Sequence, residues 1–128
     1  ERIYWLCKGK KHPRLPRRSA NWNSVWQFAP DMKNPHPAPY PIYLPARCLQ
    51  AVMQAPGLVF DPYSGSGTTG LAASLLGHDY IGFDLSEEYH NMARERFANP
   101  SKGDLKKFQE ETGLAAMSET DVFSLANS

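Results

Sequence analysis

Residues 60–70, FDPYSGSGTTG, constrain this chain more than any other stretch. The apolar run Leu58, Val59, Phe60 precedes them, and the small, apolar segment TTGLAASLLG follows. That order predicts a strand, a glycine turn and a buried helix beginning at Thr68 or Thr69 and stopping at Gly77. A turn of this kind aims backbone N–H groups at a ligand. Gly65, Gly67 and Gly70 spell G-x-G-x-x-G, which taken alone is weak evidence for a dinucleotide site.

The charges around the glycines narrow the choice. A phosphate-cradling P-loop needs a Lys after its last Gly, and Leu71 stands there. A dinucleotide loop starts straight off its strand, whereas Pro62, Tyr63 and Ser64 intervene here. Asp61 would also repel a pyrophosphate. S-adenosylmethionine has no phosphate and carries an ammonium and a sulfonium, so an Asp at the strand end attracts it. A tight turn with glycines for packing alone is the bland alternative. Further on, residues 79–84, DYIGFD, read as a second strand ending at Asp84. A carboxylate there can accept both hydroxyls of a ribose, or it can serve as a helix-entry residue.

The rest of the chain organises around this unit. Residues 2–8, RIYWLCK, are rich in β-formers and predict a strand. Residues 9–41 are heavy in Pro and basic side chains, show no sustained period and predict extended loop; Trp26 within them reads as core. Residues 43–55 predict a helix with Leu44, Cys48, Val52 and Ala55 on one face and Leu49 and Met53 beside it. Ser86 caps a helix to about Phe97, with Glu87 and Glu88 in its first turn and Tyr89, Met92, Ala93 and Phe97 buried. After Pro100 the tail is polar, with Leu105, Phe108 and Leu114 spaced for a short helix. Strand, helix, strand, helix with short connections defines an α/β, Rossmann-like fold with a mainly parallel sheet, incomplete in this chain. The division expected is 1–41, a strand and a basic linker; 42–99, the cofactor-binding βαβ portion; and 100–128, a polar tail.

Charge is unevenly spread. Seven of the fourteen Lys and Arg fall between Arg2 and Arg18, and ten of the thirteen acids between Asp79 and Asp121. A basic front and a more acidic back are expected. Cys7 and Cys48 have no metal-ligand spacing and read as buried, reduced thiols of a cytoplasmic protein. No metal site is expected, and no apolar run approaches the roughly 20 residues of a membrane span.

With these residues in view, the sequence resembles the S-adenosylmethionine-dependent DNA amino-methyltransferases of restriction–modification systems, which act on adenine or cytosine. Three blocks carry the resemblance over about residues 1–97: NPHPAPYP at 34–41, FDPYSGSGTTG, and YIGFDLSEEY at 80–89. Their order is that of the permuted subclass, with the cofactor half C-terminal. The resemblance implies that Asp61, Tyr63, Gly65, Gly67, Thr68 and Thr69 surround the methionine part of the cofactor, and that Pro62, Ser64 and Ser66 are cofactor-binding with them. It implies that Asp84 holds the ribose and that His36, Pro37 and Ala38 close over the methionine end. A stiff polyproline-like linker accounts for the prolines of that last segment, but not for His36.

The family's catalytic tetrapeptide is Asp, Asn or Ser, then Pro-Pro, then an aromatic, and it positions the amino group of a base flipped from the duplex. None of the eleven prolines here is followed by another, so no catalytic residue is assigned. The expectation is a cofactor-binding half that works with a catalytic half in the same or another chain, on double-stranded DNA, with an oligomer as one arrangement. Lys10, Lys11, Arg14, Arg17, Arg18 and Asn21 fall where the family reads its target; cations would contact phosphates and Asn a base edge. The rival functions are a non-catalytic or split-gene module binding S-adenosylmethionine or DNA, and a nicotinamide-dependent oxidoreductase.

Overall fold

The computed structural model describes residues 2–9, 22–32 and 39–114. His36, Pro37, Ala38, Lys10, Lys11, Arg14, Arg17, Arg18 and Asn21 lie outside the described residues. In chain order the elements are α1 (Tyr43–Val52), β1 (Leu58–Asp61), α2 (Thr68–Leu75), β2 (Asp79–Gly82), α3 (Glu87–Ala98) and α4 (Lys102–Thr112).

The strands β1 and β2 pair in parallel, with Leu58 beside Asp79 and Asp61 beside Gly82. Parallel neighbours need a crossover, and α2 supplies it. Its sequence is small and apolar on nearly every side, and Thr68, Gly70, Leu71, Ala72, Ala73 and Leu75 are all buried. The helix therefore sits at the centre, touching α1, α3 and both strands. Ile42, Ala46, Leu49, Val59 and Phe108 close the core around it. Alternation splits the sheet. Val59 and Tyr80 face this core, whereas Leu58, Phe60, Ile81 and Phe83 are exposed on the other face.

Several expectations are corrected. Residues 2–7 form no strand. A β-rich stretch needs a neighbour to take its N–H and C=O groups, and no third strand is present among the described residues. Helix α1 ends at Val52, and its buried residues are Pro45, Ala46 and Leu49. Leu44 and Cys48 are half-buried and Val52 is exposed, because α2 and α4 grip the helix from the flank the periodicity ranked second. Only Ala93 of the four expected residues is fully buried in α3. Trp26 is a half-buried surface ring rather than core. Cys7 and Cys48 are free thiols and half-buried.

Other elements follow the expected chemistry. Ser86 caps α3 by accepting the Tyr89 N–H, and Glu87 and Glu88 fill the first turn. Ser101 caps α4 in the same way through Asp104. The short helix marked by Leu105 and Phe108 is α4 itself, eleven residues long, with Phe108 buried and Leu114 beyond its end. Among the described residues, no helix is long and apolar enough to cross a membrane.

Candidate functional site

The site lies at the C-terminal ends of β1 and β2. Asp61 ends β1, and its Oδ1 accepts the Tyr63 N–H at 3.0 Å, an Asx turn that starts the loop. Backbone bonds then extend the pairing past the strands. Phe83 N–H donates to the Asp61 carbonyl and Ser64 N–H to the Phe83 carbonyl, at 2.9 and 2.8 Å. The loop therefore leaves the sheet along β2, and Asp84 meets it there.

Asp84 is tied at both oxygens. Oδ2 accepts the Gly65 N–H and Oδ1 the Ser86 N–H, each at 2.9 Å. The two readings of this residue from sequence are thus compatible: it is a helix-entry residue and it also faces the glycine turn. A carboxylate offers about four acceptor positions in all.

Two glycines in the turn have left-handed backbone, Gly65 at φ 50° and Gly67 at φ 80°. Gly67, not Thr68 or Thr69, is the N-cap of α2, and the cap has no side-chain hydrogen bond. A Cβ on Gly67 would stand 2.7 Å from the Ala93 Cβ, so the turn packs directly on α3. Gly67 thus supplies conformation and close packing together, and Gly70, inside α2, supplies close packing against Phe97 and Tyr80.

The hydroxyls divide into two sets. Ser66 and Thr68 are 6% and 3% exposed and turn inward, where Arg96 Nη1 donates to Thr68 Oγ1 at 2.7 Å and to Ser66 Oγ at 3.4 Å. Their side chains therefore face away from the open side of the turn, toward Arg96. Tyr63 is fully on the outside, and Thr69 hydrogen-bonds the Tyr40 hydroxyl at 2.7 Å. Tyr40 pins the end of the proline-rich segment to the start of α2.

Electrostatics at the mouth are acidic. Burial pushes the Tyr40 and Tyr80 hydroxyls above the ordinary phenol range, and the Asp61 charge adds to both shifts. Both phenols are therefore neutral at physiological pH. Arg96, the nearby cation, is committed behind the turn to Asp104. A separate cleft of about 630 Å³ opens on that rear side, lined by Met32, Met92, Glu95 and Lys107 among others, and neither Asp61 nor Asp84 borders it. Among the described residues, no cluster of His, Cys, Asp and Glu could hold a metal ion.

Sequence reasoning missed four residues. In the sequence Tyr40 is one residue of a proline-rich block, with nothing to mark it. Arg96 and Asp104 were unremarked, because an ion pair between two helices leaves no periodic trace. Arg47 was missed for the same reason. Its guanidinium lies 4.8 to 5.5 Å from the ring centres of Trp22, Trp26 and Phe28 and pairs with Glu111 at 2.6 Å. That cluster anchors residues 22–28 to α1.

Parallel strands with a glycine turn and a carboxylate at each strand end define the class, a ligand-binding unit of a Rossmann-like α/β domain. The model of the DNA methylase family matches residues 2–95. The chain belongs to that family, the DNA N6/N4 amino-methyltransferases. It is similar to the Type II methyltransferase M.SmaI of Serratia marcescens, 32% identical over 110 residues, covering 75% of this chain and 37% of that protein. The crystal structure of the M1.HpyAVI–SAM complex aligns with a TM-score of 0.50 at 29% identity, over 59% of this chain and 41% of that one. The cytosine-N4-specific PvuII DNA methyltransferase shares the fold, with a TM-score of 0.60 at 22% identity over 90% of this chain and 43% of that one. The chain thus spans about two fifths of the length of these relatives.

Proposed function

We propose that this chain is the cofactor-binding half of a DNA amino-methyltransferase that takes its methyl group from S-adenosylmethionine. The observation that carries the reading is the placement of Asp61 at the end of β1 and of Asp84 two residues past the end of the parallel neighbour β2, with the Gly65 N–H of the glycine turn bonded to Asp84. Asp84 would hold a ribose under either reading, and it is Asp61, at the end of β1, that favours a cationic, phosphate-free ligand over a pyrophosphate. This weighs against the nicotinamide reading.

The residues divide the work. Asp84 would accept the ribose hydroxyls. Asp61, Pro62, Tyr63, Ser64, Gly65 and Gly67 would line the methionine part, with Asp61 near the charged groups. Thr69 would border the ligand beside Tyr40, and His36, Pro37 and Ala38 would cover it. Ser66 and Thr68 would support the turn from behind. When bound, the cofactor supplies an electrophilic methyl on its sulfonium. The protein's part is orientation and electrostatic preorganisation.

The acceptor is a DNA base, adenine or cytosine, presented by a catalytic half carrying the Pro-Pro motif. That half would lie against β1 and the exposed face of Leu58, Phe60, Ile81 and Phe83. Parallel sheets are covered on both faces in α/β proteins, which supports this placement. The basic residues Lys10, Lys11, Arg14, Arg17 and Arg18, with Asn21, would contact the duplex. The lack of a Pro-Pro in this sequence favours a second reading, a module that binds S-adenosylmethionine or DNA without catalysis.

Transfer of labelled methyl from S-adenosylmethionine to DNA, measured with and without a complementing catalytic half, separates the two. Label in DNA only when both halves are present supports the enzyme. Cofactor binding with no label under either condition supports the module.

A further inference from the structure

We propose that Arg96 and Asp104 form a brace that holds the glycine turn in its binding conformation, making Arg96 a positioning residue for the cofactor. The inference rests on the cofactor reading above and extends it past residue 95, where the family match ends. Arg96 stands in the last turn of α3 and Asp104 in the first turn of α4. Their contact is a fork: Nε to Oδ2 at 3.0 Å and Nη2 to Oδ1 at 2.9 Å. Both side chains are largely buried, 14% and 11% exposed. The third nitrogen, Nη1, is then left to point at the turn. It donates to Thr68 Oγ1 at 2.7 Å and, at 3.4 Å, to the Ser66 carbonyl and hydroxyl.

The consequence follows from peptide geometry. The carbonyl and the N–H across the 66–67 peptide point in opposite directions. With the Ser66 carbonyl drawn toward Arg96, the Gly67 N–H is turned the other way, to the Ser64 carbonyl at 2.9 Å. One guanidinium thereby sets the peptide plane at the centre of the turn and the first residue of α2. Asp104 fixes the guanidinium plane and is itself fixed, since its N–H donates to Ser101 Oγ at the cap of α4. The planar fork matters here; a Lys would keep the charge but make no bidentate contact. Helix α4 thus acts on the turn through Arg96.

Three variants test the brace: Asp104→Asn, Arg96→Lys and Thr68→Val. For each, S-adenosylmethionine affinity is measured by calorimetry, melting temperature by scanning, and amide exchange of residues 63–70 by mass spectrometry. The expected result is a loss of affinity of about tenfold for Asp104→Asn. Exchange in the turn should rise while exchange in α1 and β2 stays unchanged. Arg96→Lys, which removes the fork and the contacts to the turn together, should lose at least as much as Asp104→Asn, and Thr68→Val should raise exchange locally with a smaller affinity loss. If all three variants bind as the parent does, or if exchange rises evenly through the chain as the melting temperature falls, the pair is only structural and the proposal is overturned. Should Asp104→Asn fail to fold, Thr68→Val, which leaves the ion pair intact, decides. A parent chain that binds no S-adenosylmethionine yet shows the same exchange pattern would overturn the cofactor reading and leave the brace standing.

Discussion

The Asp84 carboxylate accepts the Gly65 N–H on one oxygen and the Ser86 N–H on the other, both at 2.9 Å. A single side chain at the end of β2 therefore joins the glycine turn to the start of α3. Asp84→Ala should cost about 1 kcal/mol or more of stability, since two backbone donors lose a charged acceptor. It should weaken S-adenosylmethionine binding by at least about tenfold. Asp84→Asn keeps one acceptor oxygen and should lose less of both. Calorimetry and thermal unfolding check the two effects separately.

Gly67 and Gly77 share a φ of 80°, but only Gly67 is crowded. Gly77→Ala should cost about 1–2 kcal/mol, the strain of left-handed backbone with a Cβ. Gly67→Ala should cost the same strain plus about 1–3 kcal/mol for pressing on Ala93 and Phe97. The difference in unfolding free energy between the two variants measures how tightly the turn packs on α3.

Burial raises the Cys48 thiol pKa, and the nearby Arg47 charge only partly offsets it. A raised pKa means less thiolate at neutral pH, and the thiolate is the nucleophile. In a Cys7→Ser background, alkylation of Cys48 at pH 7.5 should be slower in the folded chain than in denaturant. The folded rate should climb as pH rises through and above the ordinary thiol range. Timed alkylation followed by mass spectrometry reads both.

The parts of the fold visible in the sequence were those set by local chemistry. A helix small and apolar on every side, as in α2, has to be buried, and Ser86 ahead of Glu87 and Glu88 marks a helix start. The strand expected at residues 2–8 did not form, because β-propensity describes a residue and a strand requires a neighbour. In α1, periodicity revealed an amphipathic helix but not which flank its partners would take. That Asp61, Gly65, Gly67 and Asp84 come together is legible because they follow one another across a single βαβ unit. Arg96 and Asp104 were not, since what joins them is the approach of α3 to α4.

DNA binding by residues 10–21 should be dominated by phosphates. If all five cations there engage, the logarithm of the binding constant should fall with the logarithm of salt at a slope of about −4 to −5. Replacing Lys11 and Arg14 with Ala should reduce the slope by about 2, uniformly across DNA sequences. Fluorescence anisotropy at several salt concentrations gives the slope directly.

The central claim is that the turn between two anionic strand ends seats a cationic cofactor. Its most direct measurement is a calorimetric titration of the chain with S-adenosylmethionine, repeated with NAD in excess and with Asp84→Ala. Saturable, equimolar binding that NAD leaves unchanged and Asp84→Ala greatly weakens is the expected result. Binding of NAD at the same site, or S-adenosylmethionine binding that ignores Asp84, would contradict it.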